Sequence, residues 1–247
     1  MKHIFLPILL LLVVLPYCLA QTKESQGIRS SFDLVMGLET GYRVLQPINN
    51  SFQTTATVHN RDQAEIPSVN YRFGLNYNQR LFGRLFLKSG IRWSQNGYKT
   101  PKSELIWPSE IDPVTGEILN DPSLPQWLIL KNRYHYLEIP LHFRYHFSAG
   151  NIQPFFGIGA SWNVFMHARE ISITDQGRQV LSDTIRDYNP VNVALTSTFG
   201  LDFALQGRFR AFAQLVGRYH LDRLDSSTKI EEHLYNYGLE AGLRVGL

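Results

Sequence analysis

The chain has 247 residues, 44% of them hydrophobic and 13% aromatic, with a formal charge of +3 at pH 7. So weak a positive balance, with no basic run, excludes a nucleic-acid surface built on charge. A mean hydropathy of −0.17 excludes a bundle of membrane helices, but not a membrane barrel, in which only alternate residues of each strand meet lipid.

The N-terminal segment reads as a secretory signal. Lys2 and His3 precede an apolar run from Ile4 to Leu15 that is too short to span a bilayer comfortably as a helix. Cys18-Leu19-Ala20 puts small residues at the −3 and −1 positions of a cut before Gln21. Residues 1–20 are expected to be cleaved, and the only cysteine leaves with them. Lipidation of Cys18 is the alternative, disfavoured by bulky Tyr17 just before it. Residues 21–31 are a polar, flexible lead-in, and 32–247 form one domain.

Eight strands follow, each alternating between an apolar and a polar or glycine-rich face. Strand one runs from Phe32 to Arg43, strand two from about Val69 to Asn78, and strand three from about Arg84 to Ser94. Strand four, Tyr136 to Phe147, shows the pattern most clearly. Leu137, Ile139, Leu141, Phe143, Tyr145 and Phe147 share one face, and Glu138, Pro140, His142, Arg144 and His146 share the other. Strand five covers about Gln153 to Met166, strand six Val191 to Leu205, strand seven Phe209 to His220 and strand eight Tyr235 to Leu247.

The connections alternate long and short. Polar loops are expected after Arg43, from Gln95 to Arg133, from His167 to Pro190 and after His220. Tight turns are expected near Gln79 to Gly83, at Ser148-Ala149-Gly150-Asn151 and at Gln206-Gly207-Arg208. Antiparallel strands of this length and rhythm predict an all-β, eight-stranded up-and-down transmembrane barrel with four long extracellular loops and three short periplasmic turns. Strand eight then closes against strand one and leaves no exposed edge. The loop rule sends Tyr42, Trp93, Tyr219 and Tyr235 to the outer rim, and Phe32, Tyr77, Tyr145, Phe147, Phe203 and Phe209 to the inner one, as aromatic girdles require. The competing architecture is a soluble periplasmic, lipocalin-like binding protein with the apolar faces turned inward.

In the barrel reading the second face fills a narrow lumen. It carries Glu39, Glu138, Asp202 and Glu240 against Arg72, Lys88, Arg92, Arg144, Arg210, Arg218 and Arg244, with His142 and His146 between them. An unpaired buried charge is costly, so these groups are expected to pair as a structural plug. No cofactor or metal set is expected, since no cysteine or close carboxylate pair completes a ligand group around the histidines. In the long proline-rich loop, Trp107 and Trp127 are the candidate binding anchors. Packing of the loop on itself is the other reading, and the preferred one.

Tyr136-Leu137-Glu138-Ile139-Pro140-Leu141, Gln153-Pro154-Phe155-Phe156-Gly157-Ile158-Gly159-Ala160 and the closing Tyr237-Gly238-Leu239-Glu240-Ala241-Gly242-Leu243-Arg244 resemble the PorT-like outer-membrane β-barrel family of Bacteroidota. The resemblance implies an integral outer-membrane protein inserted by the barrel-assembly machinery. Its founding member is associated with type IX secretion. It spans all eight strands and is sharp in strands four and five.

Three roles are open. The favoured one is a non-enzymatic component acting through its extracellular loops on a protein or ligand that the sequence does not name. A rim enzyme on lipid A or phospholipid acyl chains needs a serine near a histidine. His135, expected to face lipid near the outer rim, has Tyr136 and Leu137 after it instead. A small channel is the third.

Overall fold

In the computed structural model, residues 29–49, 51–107, 110–111, 115–116, 118–119, 121, 123–184, 188–225 and 229–247 are described. The expected signal peptide and most of the lead-in lie outside them.

Eight strands close into a ring: β1 (Ser30–Pro47), β2 (Ile66–Phe82), β3 (Leu85–Lys99), β7 (Trp127–His146), β8 (Ile152–Thr174), β10 (Val191–Ala204), β11 (Phe209–His220) and β12 (Ile230–Gly246). Each pairs antiparallel with its neighbour, and β12 returns to β1 from Ser31↔Gly246 to Pro47↔Ile230. A strand alternates its side chains, so closure commits one face to the lumen and the other to the surroundings. Leu34, Met36 and Leu38 of β1 are more than half exposed, whereas Asp33 and Val35 on either side of Leu34 are fully buried. An exposed apolar band all round the ring is what a hydrocarbon solvent selects. The rims carry the expected rings: Tyr42 stands opposite Tyr235, which stands opposite Tyr219, and Phe32 packs on Tyr77 at 5.4 Å between centroids.

The short connections fall between β2 and β3, β7 and β8, and β10 and β11, which makes the other end extracellular by the loop rule. That end is more ordered than the sequence suggests. The segment after β1, expected as a loop, holds helix α1 (Phe52–Ala64), capped by the Ser51 hydroxyl, which accepts from the Thr54 amide at 3.3 Å. Strands β7 and β8 continue as a paired ladder up to Leu128↔Thr174, well beyond Tyr136 and Met166, and β9 (Gly177–Thr184) folds back on β8. The segment expected as a polar loop from His167 is therefore largely a protruding hairpin. Beyond the bilayer lipid no longer demands an unbroken apolar face, and His167, Arg169 and Glu170 interrupt the pattern before Ile171 and Ile173 resume it. The long proline-rich loop contributes the two-residue strands β4 (Ser103–Glu104), which pairs with β7, and β5 (Glu110–Ile111) with β6 (Ile118–Leu119).

Glycine is required where strands approach closely. A Cβ at Gly97, whose φ is +153°, would lie 2.0 Å from the Asn132 carbonyl oxygen of β7.

Candidate functional site

The lumen is filled from end to end. Near the periplasmic turns, Val35, Phe155 and Phe212 form an apolar plug. On its periplasmic side, Arg244 grips Asp33 with Nε and Nη2 at 2.7 and 3.1 Å and donates from Nη1 to Asp202 at 2.6 Å. His146 Nε2 meets the same Asp202 oxygen at 2.6 Å. The Arg144 guanidinium lies over the Phe155 ring at 4.1 Å and donates to Gln214 at 3.0 Å.

The centre is built on two arginines among three carboxylates. Arg72 from β2 donates from Nε to Glu138 at 2.9 Å and from Nη1 to Glu39 at 3.3 Å, and forms further short ion pairs with Glu138 and Glu240. Arg218 from β11 reaches Glu138 at 3.1 Å and also pairs with Glu39. Gln214 donates to Glu240 at 2.5 Å, and Arg92 donates to Asn76 at 2.7 Å and reaches Glu240 at 3.4 Å. Such forked contacts are where arginine is superior to lysine.

Of the side chains expected in this network, Glu39, Arg72, Arg92, Glu138, Arg144, Asp202, Arg218, Glu240 and Arg244 are buried and joined by ion pairs or hydrogen bonds. Lys88 and His142 are buried directly opposite each other in the β3–β7 register. Among the described residues neither forms an ion pair, and the Lys88 ammonium lies 5.9 Å from the centre of the Phe212 ring. Arg210 stands apart. It is half-buried at the turn end and donates to the Gly150 carbonyl at 3.3 Å, while its register partner Arg244 takes Asp33 and Asp202. Asp33 was missed, although the alternation of β1 put it on the lumen face; Gln214 and Asn76 were missed as neutral partners of the charges.

The extracellular mouth is closed by a second network that the sequence did not suggest. Arg43 donates to Asp62 of α1 at 2.8 Å and to Glu65 just after it at 2.5 Å. Arg61 of α1 donates to Glu65 at 2.8 Å, to Glu232 of β12 at 3.0 Å and to the Tyr98 hydroxyl at 2.7 Å. Beneath it lie Tyr98, Tyr134, Tyr136, Ala168, Leu224 and Leu234. The helix thus latches across the mouth through charge on an aromatic floor. Burial pushes the Glu232 carboxyl above the usual carboxylate range, a shift that Arg61 opposes. A raised folded-state value means that folding favours the protonated form. The contribution of Glu232 itself is therefore expected to be greatest below about pH 4.5 and to be lost as pH rises through the raised value. Replacing Glu232→Gln should abolish this dependence, read as the pH profile of amide-exchange protection in α1 and the upper end of β12.

Trp107 and Trp127 are both half-buried. Trp107 donates its indole N–H to the Pro125 carbonyl at 2.6 Å, and Lys102 places its ammonium 4.6 Å from the Trp127 ring. Each is engaged within its own loop. His135 is outward-facing but only 7% exposed, a correction to its expected lipid contact. The ring of His167 stacks on it at 4.3 Å and Trp93 lies at 5.3 Å. Extension of β8 beyond Met166 supplies the covering histidine.

The model of a family described as an outer membrane protein beta-barrel domain matches residues 20–221. No curated relative matches by sequence. Among solved structures, Neisserial surface protein A is 10% identical with a TM-score of 0.46, covering 88% of this chain and 97% of that one. OprG of Pseudomonas aeruginosa is 10% identical with a TM-score of 0.43, covering 91% and 100%. The outer membrane protease OmpT of Escherichia coli is 11% identical with a TM-score of 0.44, covering 92% and 99%.

Proposed function

The chain belongs to the outer membrane protein beta-barrel domain family and resides in the outer membrane of a Gram-negative bacterium, and on that premise we propose that it is a non-enzymatic binding or assembly component that works through its extracellular end. The observation that carries this reading is the closed lumen. Three buried glutamates are tied to arginines at mid-barrel, an apolar plug lies below them, and a latched helix lies above. A side-chain-filled eight-stranded barrel offers no aqueous path. The ordered structure outside the bilayer is concentrated on α1, the β8–β9 hairpin and the β4 and β5–β6 ribbons, which form a shaped surface on one side of the membrane.

The rim-enzyme alternative loses its leading residue, because the His135 ring is covered by Trp93 and His167. The PorT-like resemblance adds a finer proposal: a place in the cell-envelope machinery of Bacteroidota, with type IX secretion as the associated process, the barrel-assembly machinery as the insertion partner and a protein or ligand bound by the loops.

The test combines recording and capture. In planar bilayers the wild-type barrel is expected to show no steady conductance. Cross-linking from the β8–β9 hairpin in intact cells should then capture a specific envelope partner, and a variant lacking Gly177–Thr184 should lose it while still assembling as a barrel. A steady conductance in the wild type would overturn the reading in favour of a channel. Loss of lipid A acyl chains in cells carrying the wild-type protein but not His135→Ala would overturn it in favour of an enzyme.

A further inference from the structure

The lumen contains one charge that its own network does not answer. Below the mouth network, and leaving the histidines aside, the described residues bury the carboxylates Asp33, Glu39, Glu138, Asp202 and Glu240 against five arginines and Lys88. Each of those arginines is ion-paired, the longest contact being Arg144 to Asp202 at 3.9 Å. Lys88 is the surplus cation. It is 1% exposed, and among the described residues it has neither an ion pair nor a hydrogen bond.

Its surroundings add to the surplus. Lys88, Arg144 and Arg244 share the Phe212 ring, at 5.9, 5.5 and 5.6 Å from its centre. A ring face at that distance offsets only part of the cost of a buried charge. The charges that act on Lys88 most strongly are those of Arg92 and Arg144, ahead of Glu240 and Asp33. Lys88 and Arg92 are likewise the strongest charges on His142. The mouth supplies no remedy, because Asp62, Glu65 and Glu232 are tied to Arg43 and Arg61 above the tyrosine floor.

The hydrogen bonds of the same sector of the wall point the same way. His142 of β7 stands directly opposite Lys88, and Arg92 lies four residues along the same face of β3. Arg92 uses Nε on Asn76 and Nη1 on Glu240, but its buried Nη2 has no acceptor. Asn76 Nδ2 and His142 Nε2 are also buried without a partner among the described residues. Asn78 Oδ1, opposite Lys88 on β2, lacks one too, but an uncharged oxygen cannot cancel a unit charge. Buried donors without acceptors, beside an unanswered cation, call for a group that accepts several hydrogen bonds and carries negative charge. Water meets the first requirement and not the second.

We propose that Lys88, with Arg92, Asn76 and His142 beside it, binds one monovalent anion of chloride size inside the lumen. A single negative charge balances the count of carboxylates and cations. In an eight-stranded barrel filled by side chains, a monatomic ion fits where a phosphate does not. Taken up as the barrel closes, it is a structural counter-ion of the plug and not a permeating one.

The test is reversible urea unfolding of the full barrel in lipid vesicles, in sodium chloride, sodium bromide or sodium gluconate at equal ionic strength. The wild type is expected to be more stable in either halide than in gluconate. Above the dissociation constant, each tenfold rise in halide should raise the folding constant about tenfold, as uptake of one ion requires. Lys88→Met removes the surplus charge and should abolish the halide dependence. Lys229→Met, at an exposed position near the mouth, should retain it. A heat-dependent gel shift identical to wild type verifies that each variant folds. Crystals of the wild type grown in sodium bromide should show an anomalous peak beside the Lys88 ammonium, a reading that needs no variant. Equal stability of the wild type in chloride and gluconate would overturn the proposal. So would a halide dependence unchanged in folded Lys88→Met, or lost equally in Lys229→Met. Ordered water without anomalous signal beside Lys88 would overturn it as well, by making the site one of hydration alone.

Discussion

Replacing Arg72→Met is expected to cost about 3–5 kcal/mol of stability, measured by reversible urea unfolding in lipid vesicles. The side chain is fully buried and contacts Glu39, Glu138 and Glu240 together. Arg218 keeps its contacts to Glu39 and Glu138, and Arg92 keeps its longer one to Glu240, so the three carboxylates lose their shared centre without becoming wholly unpaired. The cost arises because the desolvation of the carboxylates remains while the attraction that offset it is gone. Arg72→Lys should recover only part of the loss, since an ammonium cannot reproduce the forked contact to Glu138. Adding Glu138→Gln to Arg72→Met should return about 0.5–3 kcal/mol, the coupling expected of a shared network. A single-variant cost within about 0.5 kcal/mol would place Arg72 in water and not in a sealed lumen.

The second large effect is expected on the opposite face. Leu239 is 61% exposed and sits mid-strand on β12, opposite Leu38 and Leu215. On a soluble protein an exposed leucine changed to arginine usually shifts stability by no more than about 0.5 kcal/mol. At the midplane of a bilayer the same change costs about 2–4 kcal/mol. Leu239→Arg is therefore expected to destabilise the vesicle-embedded barrel by that larger amount. The same change at exposed Leu181, on the hairpin outside the membrane, should cost little. Equal, small effects at both positions would put water on both surfaces.

The two predictions draw on the part of the fold that was readable in the sequence. Lipid on one side and a crowded lumen on the other enforce strict alternation, so Leu34, Met36 and Leu38 announce β1, and Leu137 to Phe147 announce the lower half of β7. Where the strands leave the bilayer that constraint ends. The stretch Arg169-Glu170-Ile171-Ser172-Ile173 reads as loop by composition and folds as strand by continued pairing with β7. Helix α1 was invisible for a related reason. Only Thr54 among its residues is buried, and Phe52 is 91% exposed. It docks through Arg61 and Asp62 and not through an apolar stripe, so no helical hydrophobic period marks it.

The charged side chains of the lumen were likewise readable as a set but not as partners. Arg72 and Glu240 are 168 residues apart and meet only because β12 closes on β1. Asp33 was on the lumen face by alternation, yet its engagement by Arg244 depends on that same closure. Arg210 has the right parity, but its register partner Arg244 takes the nearby carboxylates and Arg210 turns to a backbone carbonyl. Parity is a property of one strand, and pairing is a property of the closed register.

The most direct test of the inverted arrangement, with apolar side chains outside and charges within, is lipid quenching along β10. A chain beginning at Gln21 has no cysteine, so single-cysteine variants are simple to make. Leu195→Cys and Phe199→Cys replace residues that are 52% and 53% exposed, and Thr196→Cys and Thr198→Cys replace buried ones. Each is labelled with a small fluorophore in the unfolded state and folded into vesicles of brominated lipid. Strong quenching at 195 and 199, and little at 196 and 198, is the predicted result. No quenching at 195 and 199, with labels at 196 and 198 open to aqueous quenchers, would contradict it and turn the barrel inside in.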